Sequence, residues 1–306
     1  MQDILEFLRQ EGIEKELIDG IRAFRQEAPV TGELKRRIPA PEVYYLGTGI
    51  WEKAIAAILC RKNLLLAGPK ATGKNILAES LGAAFERPAW NVSFHIGADA
   101  AYLVGTDTFD GNQVTFRQGP VTLCAENGGF GILDEINMAR NEAMAVLHSA
   151  LDFRRELDVP GYHLVEMQPQ TRYIATMNYG YAGTRELNEA LASRFVVLDM
   201  PIIAEADLDR LIASRFPDLK AELRSQFTSL FYELDRKARS AEVSEKASDL
   251  RGLLDAIDLC HRGLRTGDAL AMCISDKTFD PYEKQLIQDV IDERIDPDLS
   301  GSDLFA

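Results

Sequence analysis

The run Asn63-Leu64-Leu65-Leu66-Ala67, followed at once by Gly68-Pro69-Lys70-Ala71-Thr72-Gly73-Lys74-Asn75, constrains this chain more than any other stretch. A short apolar run closed by glycine and proline predicts a buried strand, and helical spacing resumes over 73–86. The octet matches G-x-x-x-x-G-K. Glycines permit a loop tight enough to turn backbone N–H groups inward as an anion nest, and the helix start adds unpaired donors and the positive end of a dipole. Lys74 then reaches the outer phosphates of a nucleotide as a point charge. Residues 68–75 are therefore the candidate nucleotide-binding loop. Asn75 stands where Ser or Thr is usual for holding Mg²⁺. Its amide oxygen is also a hard ligand, one atom longer, so the metal would shift or bind through water. Asn75 is thus a candidate metal ligand and a reason to expect slow hydrolysis.

The chain continues with four more buried-strand candidates, Ala89–Phe94, Phe130–Leu133, Tyr173–Met177 and Phe195–Leu198, with helical stretches between them. Strands alternating with helices predict a parallel sheet covered on both faces. Two segments interrupt the alternation. Thr106 to Arg117 centres on Asp110-Gly111, and Arg154 to Gln168 centres on Pro160-Gly161. Both have the composition of β-hairpins inserted into an α/β frame. After Pro201 the β signal ends, and 206–216, 218–240, 248–263, 266–275 and 281–294 are helical by periodicity. The expected layout is N-terminal helices and linker over 1–44, an α/β nucleotide-binding domain over 45–204, a helical lid over 205–294 and a mobile acidic tail over 295–306. The fold class is α/β, a P-loop five-stranded parallel sheet with two hairpins, followed by an all-helical domain.

The strand Gly131-Ile132-Leu133 ends in Asp134-Glu135, about 60 residues after the loop. Two adjacent acids at the end of a buried strand are costly unless they hold a cation or do chemistry. Asp134 is assigned to the metal and Glu135 to the attacking water. Tyr173-Ile174-Ala175-Thr176-Met177 runs to Asn178, whose amide can bond the γ-phosphate or the water. Arg194, just before the last strand, could extend its guanidinium to a neighbouring subunit's γ-phosphate.

Composition narrows the function classes. Lys plus Arg number 34 and Asp plus Glu 48, a net charge of −14. That field disfavours general binding to DNA backbone or anionic membrane, so nucleic acid is not an expected partner and no membrane insertion is expected. No apolar run has the roughly 20 residues of a membrane span, and the N-terminus lacks a signal peptide's pattern, which predicts a cytoplasmic protein. The four cysteines form no C-x-x-C pair, so neither structural zinc nor a disulfide framework is expected.

Taken together, GPKATGKN, GILDEIN, ATMN and NEALASRF, with both hairpins in their places, resemble the AAA+ ATPases, and within them the MoxR-type branch. The likeness spans about residues 45 to 265. It implies that Lys74 is a Walker A lysine, Asp134 and Glu135 the Walker B acids, Asn178 the sensor 1 residue and Arg194 an arginine finger. Arg251, in SDLRGLLDAIDLCHRGL, looks like the lid's sensor 2 arginine, and Arg185 is a second trans-acting candidate. Tyr179 departs from the proline that many relatives carry there. The resemblance implies ATP with Mg²⁺ at the subunit interfaces of a ring, most often a hexamer. It also implies a chaperone role, remodelling a client protein or assisting its metal insertion, often with a von Willebrand factor A domain partner. Two alternatives stay open. One is a nucleotide-gated assembly scaffold with little turnover, favoured by Asn75. The other is a nucleic-acid or GTP-driven restriction motor, disfavoured by the charge and by MNYGYAG.

Overall fold

β1 (Asn63–Gly68) is the central reference of the fold, and its side chains alternate between two separate apolar clusters. Leu65 and Ala67 join one, Leu64 and Leu66 the other. Four consecutive apolar side chains, Leu64 to Ala67, that point alternately to opposite faces must be covered on both sides. In this computed structural model the described residues are 3–95, 97–109, 111–139, 141–159, 163–179 and 187–306. The chain divides into two compact units, Met1–Pro201 and Ile202–Ala306.

In the first unit, helices α1 (Ile4–Gln10), α2 (Lys15–Glu27) and α3 (Thr48–Leu59) precede β1, and α4 (Lys74–Ala84) follows it. Next come β2 (Ala89–Ser93), α5 (Ala100–Val104), β3 (Gly105–Phe109), β4 (Val114–Gln118), α6 (Pro120–Glu126), β5 (Phe130–Asp134) and α7 (Asn141–Ala150). The unit ends with β6 (Glu156–Asp158), β7 (Leu164–Glu166), β8 (Arg172–Asn178), α8 (Glu189–Ala192) and β9 (Phe195–Asp199). The main sheet has the order β2-β5-β8-β1-β9, and every pairing in it is parallel. The five strands coincide with the five predicted runs to within a residue or two. The two inserted segments form antiparallel pairs, β3 with β4 and β6 with β7. Asp110 and Pro160-Gly161, the expected turn centres, lie outside the described residues apart from Gly111, whose φ of 98° suits a glycine turn.

The N-terminal helices α1 and α2, expected within a region apart from the nucleotide-binding domain, pack into its core. Ile4, Leu8, Ile18, Ile21 and Phe24 are buried in the cluster that holds Leu64, Leu66 and Ile174. Their amphipathic stripes have an apolar sheet face to cover.

The second unit is all-helical among its described elements: α9 (Glu205–Arg215), α10 (Ala221–Arg239), α11 (Leu250–His261), α12 (Thr266–Cys273), α13 (Pro281–Arg294) and α14 (Gly301–Leu304), with one short 3₁₀ turn. The tail expected to be mobile is instead docked. Ser300 and Asp303 form a capping box on α14, and Leu304 is fully buried. Backbone bonds join Lys220 N–H to the Leu304 carbonyl at 3.0 Å and Ala306 N–H to the Asp218 carbonyl at 2.9 Å. Leu304 and Phe305 give the tail enough apolar surface to offset the cost of ordering it.

Candidate functional site

Parallel pairing puts the carboxyl ends of β5, β8 and β1 side by side, and the chain order reverses between β1 and its neighbours. A crevice at such a switch point is where open α/β sheets bind ligands. Gly68 is in register with Asn178, and Leu133 with Ala175, so Asp134 falls beside Thr176.

The loop from Gly68 to Gly73 carries its expected bend. Ala71 has φ of 61° and Gly73 of 79°, both left-handed. A Cβ on Gly73 would lie 3.0 Å from the Tyr45 ring, and one on Gly68 would lie 2.6 Å from the Met200 carbonyl oxygen. Glycine is therefore required twice, once for conformation and once for the close approach of the chain after β9. The Thr72 hydroxyl bonds the Pro69 carbonyl at 3.1 Å, bracing the turn. Pro69 is half-buried and Lys70 exposed at the loop's crest.

Lys74 opens α4 and is only 7% exposed. Its ammonium donates to the Gly68 and Pro69 carbonyls at 3.0 and 2.6 Å and to the Thr72 hydroxyl at 3.3 Å. Burial pulls this ammonium down to about 8, against the opposing influence of Asp134 and Glu135.

The acids form one hydrogen-bonded cluster with the loop. The Thr176 hydroxyl donates to Asp134 Oδ1 at 2.5 Å, and the Asn75 amide nitrogen donates to Asp134 Oδ2 at 3.2 Å. The Asn178 amide donates to Glu135 Oε1 at 3.3 Å, and Asn137 donates to the Asn178 carbonyl at 3.1 Å. Glu135 sits at φ 54°, a left-handed conformation that a non-glycine residue adopts at a cost, and its N–H is held by Thr176 Oγ1 at 3.1 Å. The bend turns the second acid out of the strand and toward Asn178. Lys74, Asn75, Asp134, Glu135 and Asn178 are thus brought together.

Arg194 is not part of this cluster. Phe195 is in register with Asn63, at the amino end of β1, whereas the loop leaves its carboxyl end. Five residue steps at about 3.3 Å each separate the two ends by roughly 17 Å. The guanidinium donates to the Ala190 carbonyl and lies 3.9 Å from Asp152, while its buried Nε has no hydrogen-bond partner. Arg251 is exposed in the first turn of α11, in the second unit. Arg185 lies outside the described residues.

Sequence reasoning missed three contributors. Thr176 was visible only as a hydroxyl inside an apolar strand, and Asn137 only as a polar residue after the acids. Tyr179, noted as a departure, donates its hydroxyl to Asp199 at the end of β9, reaching past the end of β1. That bond raises the tyrosine's own proton affinity.

The family model for the AAA domain of the dynein-related subfamily matches residues 63–195. The uncharacterized protein YojN of Bacillus subtilis (strain 168) is 33% identical over 270 residues, 87% of this chain and 88% of the relative. An uncharacterized protein of Staphylococcus haemolyticus (strain JCSC1435) is 32% identical over 250 residues, 79% of this chain and 94% of the relative. The solved structure of a protein from Cytophaga hutchinsonii ATCC 33406 is 14% identical, covers 93% of this chain and 86% of its own, and superposes with a TM-score of 0.45.

Proposed function

This chain belongs to the family of YojN and its staphylococcal relatives and carries an AAA domain of the dynein-related subfamily, and on that premise we propose that it is a MoxR-type ATPase that hydrolyses ATP to remodel or mature a client protein. The observation that carries the reading is the hydrogen bond from Asn75 at the phosphate loop to the first acid, Asp134, with Asn178 on the second acid, Glu135.

Each residue then has a task. The loop and the start of α4 receive the phosphates through backbone N–H groups. Lys74 exchanges its two carbonyl acceptors for phosphate oxygens, whose negative charge raises its proton affinity against the burial that lowers it. Glu135, turned out by its left-handed backbone and held by Asn178, accepts a proton from the attacking water. Mg²⁺ entering with the nucleotide would offset phosphate charge, and the Asp134 carboxylate is a fitting ligand for it. The fit does not extend to Asn75, whose NH₂ faces Asp134. Arg194, at the far end of the sheet from its own loop, supports a site completed by a neighbouring subunit, and hence a ring, with a hexamer as the working assembly. The two hairpins support a client-handling role, since Phe109 and Val114 at one tip are 70% and 66% exposed. A partner with a von Willebrand factor A domain belongs to the same proposal.

Steady-state hydrolysis with Mg²⁺ tests it. Glu135→Gln should bind ATP and lose turnover, whereas Lys74→Ala should lose most affinity. Micromolar ATP binding by Lys74→Ala would contradict the loop assignment. The second reading, a nucleotide-gated scaffold, is favoured by the Asn75–Asp134 bond. Tight ATP binding with no turnover in the unaltered protein would select it.

A further inference from the structure

The bond between Asn75 and Asp134 has a direction that chemistry fixes. An ionised carboxylate has no hydrogen to give, so at 3.2 Å from Asp134 Oδ2 the amide presents its NH₂ group. The amide oxygen, the only atom of the side chain able to ligate a hard cation, then lies on the other side of Cγ. The second carboxylate oxygen is held as well, by the Thr176 hydroxyl at 2.5 Å. Asn75 is exposed in the first turn of α4, directly after Lys74, and Asp134 ends β5. A hard divalent cation shared by the loop helix and this acid would need an oxygen ligand from each side. Here one side offers a neutral hydrogen-bond donor that already makes the bridge. A cation placed there must break that bond and rotate the amide.

We propose that Asn75 takes over the bridging role between the phosphate loop and Asp134, so that this chain captures nucleoside triphosphate with little dependence on Mg²⁺. The inference rests on the nucleotide-binding reading above and specifies its metal requirement. The loop, the helix start and Lys74 supply phosphate affinity without the ion. Mg²⁺ adds little, because what it gains from Asp134 is offset by the hydrogen bond it displaces. A hydroxyl at position 75 would restore an oxygen on the loop side and, with it, the metal's contribution.

The test is calorimetric titration of the full chain with ATP, once in EDTA and once in millimolar Mg²⁺, for the unaltered protein and for Asn75→Thr and Asn75→Ser. The unaltered protein should change affinity by less than about threefold between the two buffers, and the hydroxyl variants should gain about tenfold or more in Mg²⁺. A tenfold gain by the unaltered protein would overturn the inference while leaving the nucleotide reading intact. Equal indifference to Mg²⁺ in folded hydroxyl variants would also overturn it, since Asn75 would not then be the cause. No ATP binding by the unaltered protein in either buffer would overturn the nucleotide reading itself. Because residue 75 is exposed, tryptophan fluorescence of each variant serves as the folding control.

Discussion

Thr176 offers the sharpest test of how the acids are held. It is 1% exposed, and its hydroxyl both donates to Asp134 and accepts from the Glu135 N–H. Thr176→Val keeps the shape and removes both bonds. A hydrogen bond to a charged group contributes about 1.5–3 kcal/mol and one to a neutral N–H about 0.5–1.5. The added methyl returns roughly 0.8 kcal/mol of burial. Asp134 and Glu135 are half-buried, so water replaces part of what is lost. The net expectation is a destabilisation of about 2 kcal/mol. Urea unfolding followed by tryptophan emission measures it cleanly, because the chain has two tryptophans. Trp51 and Trp90 are both buried in the first unit, so the signal reports that unit alone. The midpoint should fall with the slope unchanged. Turnover should drop further than stability, since a misplacement of Glu135 by about 1 Å costs on the order of a hundredfold. Thr176→Ser keeps the hydroxyl and should retain most turnover. If Thr176→Val matched the unaltered protein within about 0.5 kcal/mol and turned over ATP normally, the idea that this hydroxyl positions the acids would be refuted.

The remaining expectations follow from the same geometry. Lys74, lowered to about 8 before nucleotide arrives, must carry its proton to hold phosphate. ATP affinity should therefore fall as pH rises above about 8, with proton uptake on binding, and a flat profile from pH 7 to 9.5 would contradict the assignment. Gly131→Ala places a Cβ 2.4 Å from the Tyr173 ring across the β5–β8 pair and should cost about 1–3 kcal/mol by the same fluorescence assay. Arg194→Ala should bind ATP but not turn it over, and mixing it with Glu135→Gln should recover activity if the site is shared. Failure of such mixtures to recover any turnover would argue for a self-contained site.

Much of the fold was legible because its signals are contiguous. The phosphate loop, five apolar runs, two inserted hairpins and the Asp134-Glu135 pair are short stretches whose chemistry is set by adjacent residues. Local periodicity and turn chemistry act over that same range. What lay beyond it was decided by pairing between segments far apart in the chain. The order β2-β5-β8-β1-β9 and its register set Thr176 beside Asp134 and Asn178 beside Gly68. The same register carries Arg194 to the opposite end of the sheet. The tail became an ordered helix because Leu304 found a buried place in the helical unit, and the N-terminal helices joined the core because a sheet face needed covering. Asn75 shows the division most clearly. Its identity in the sequence raised the question of the metal. Only the arrival of Asp134 from another strand decided which end of the amide faces the site, because a hydrogen bond has a direction that a residue's name does not carry.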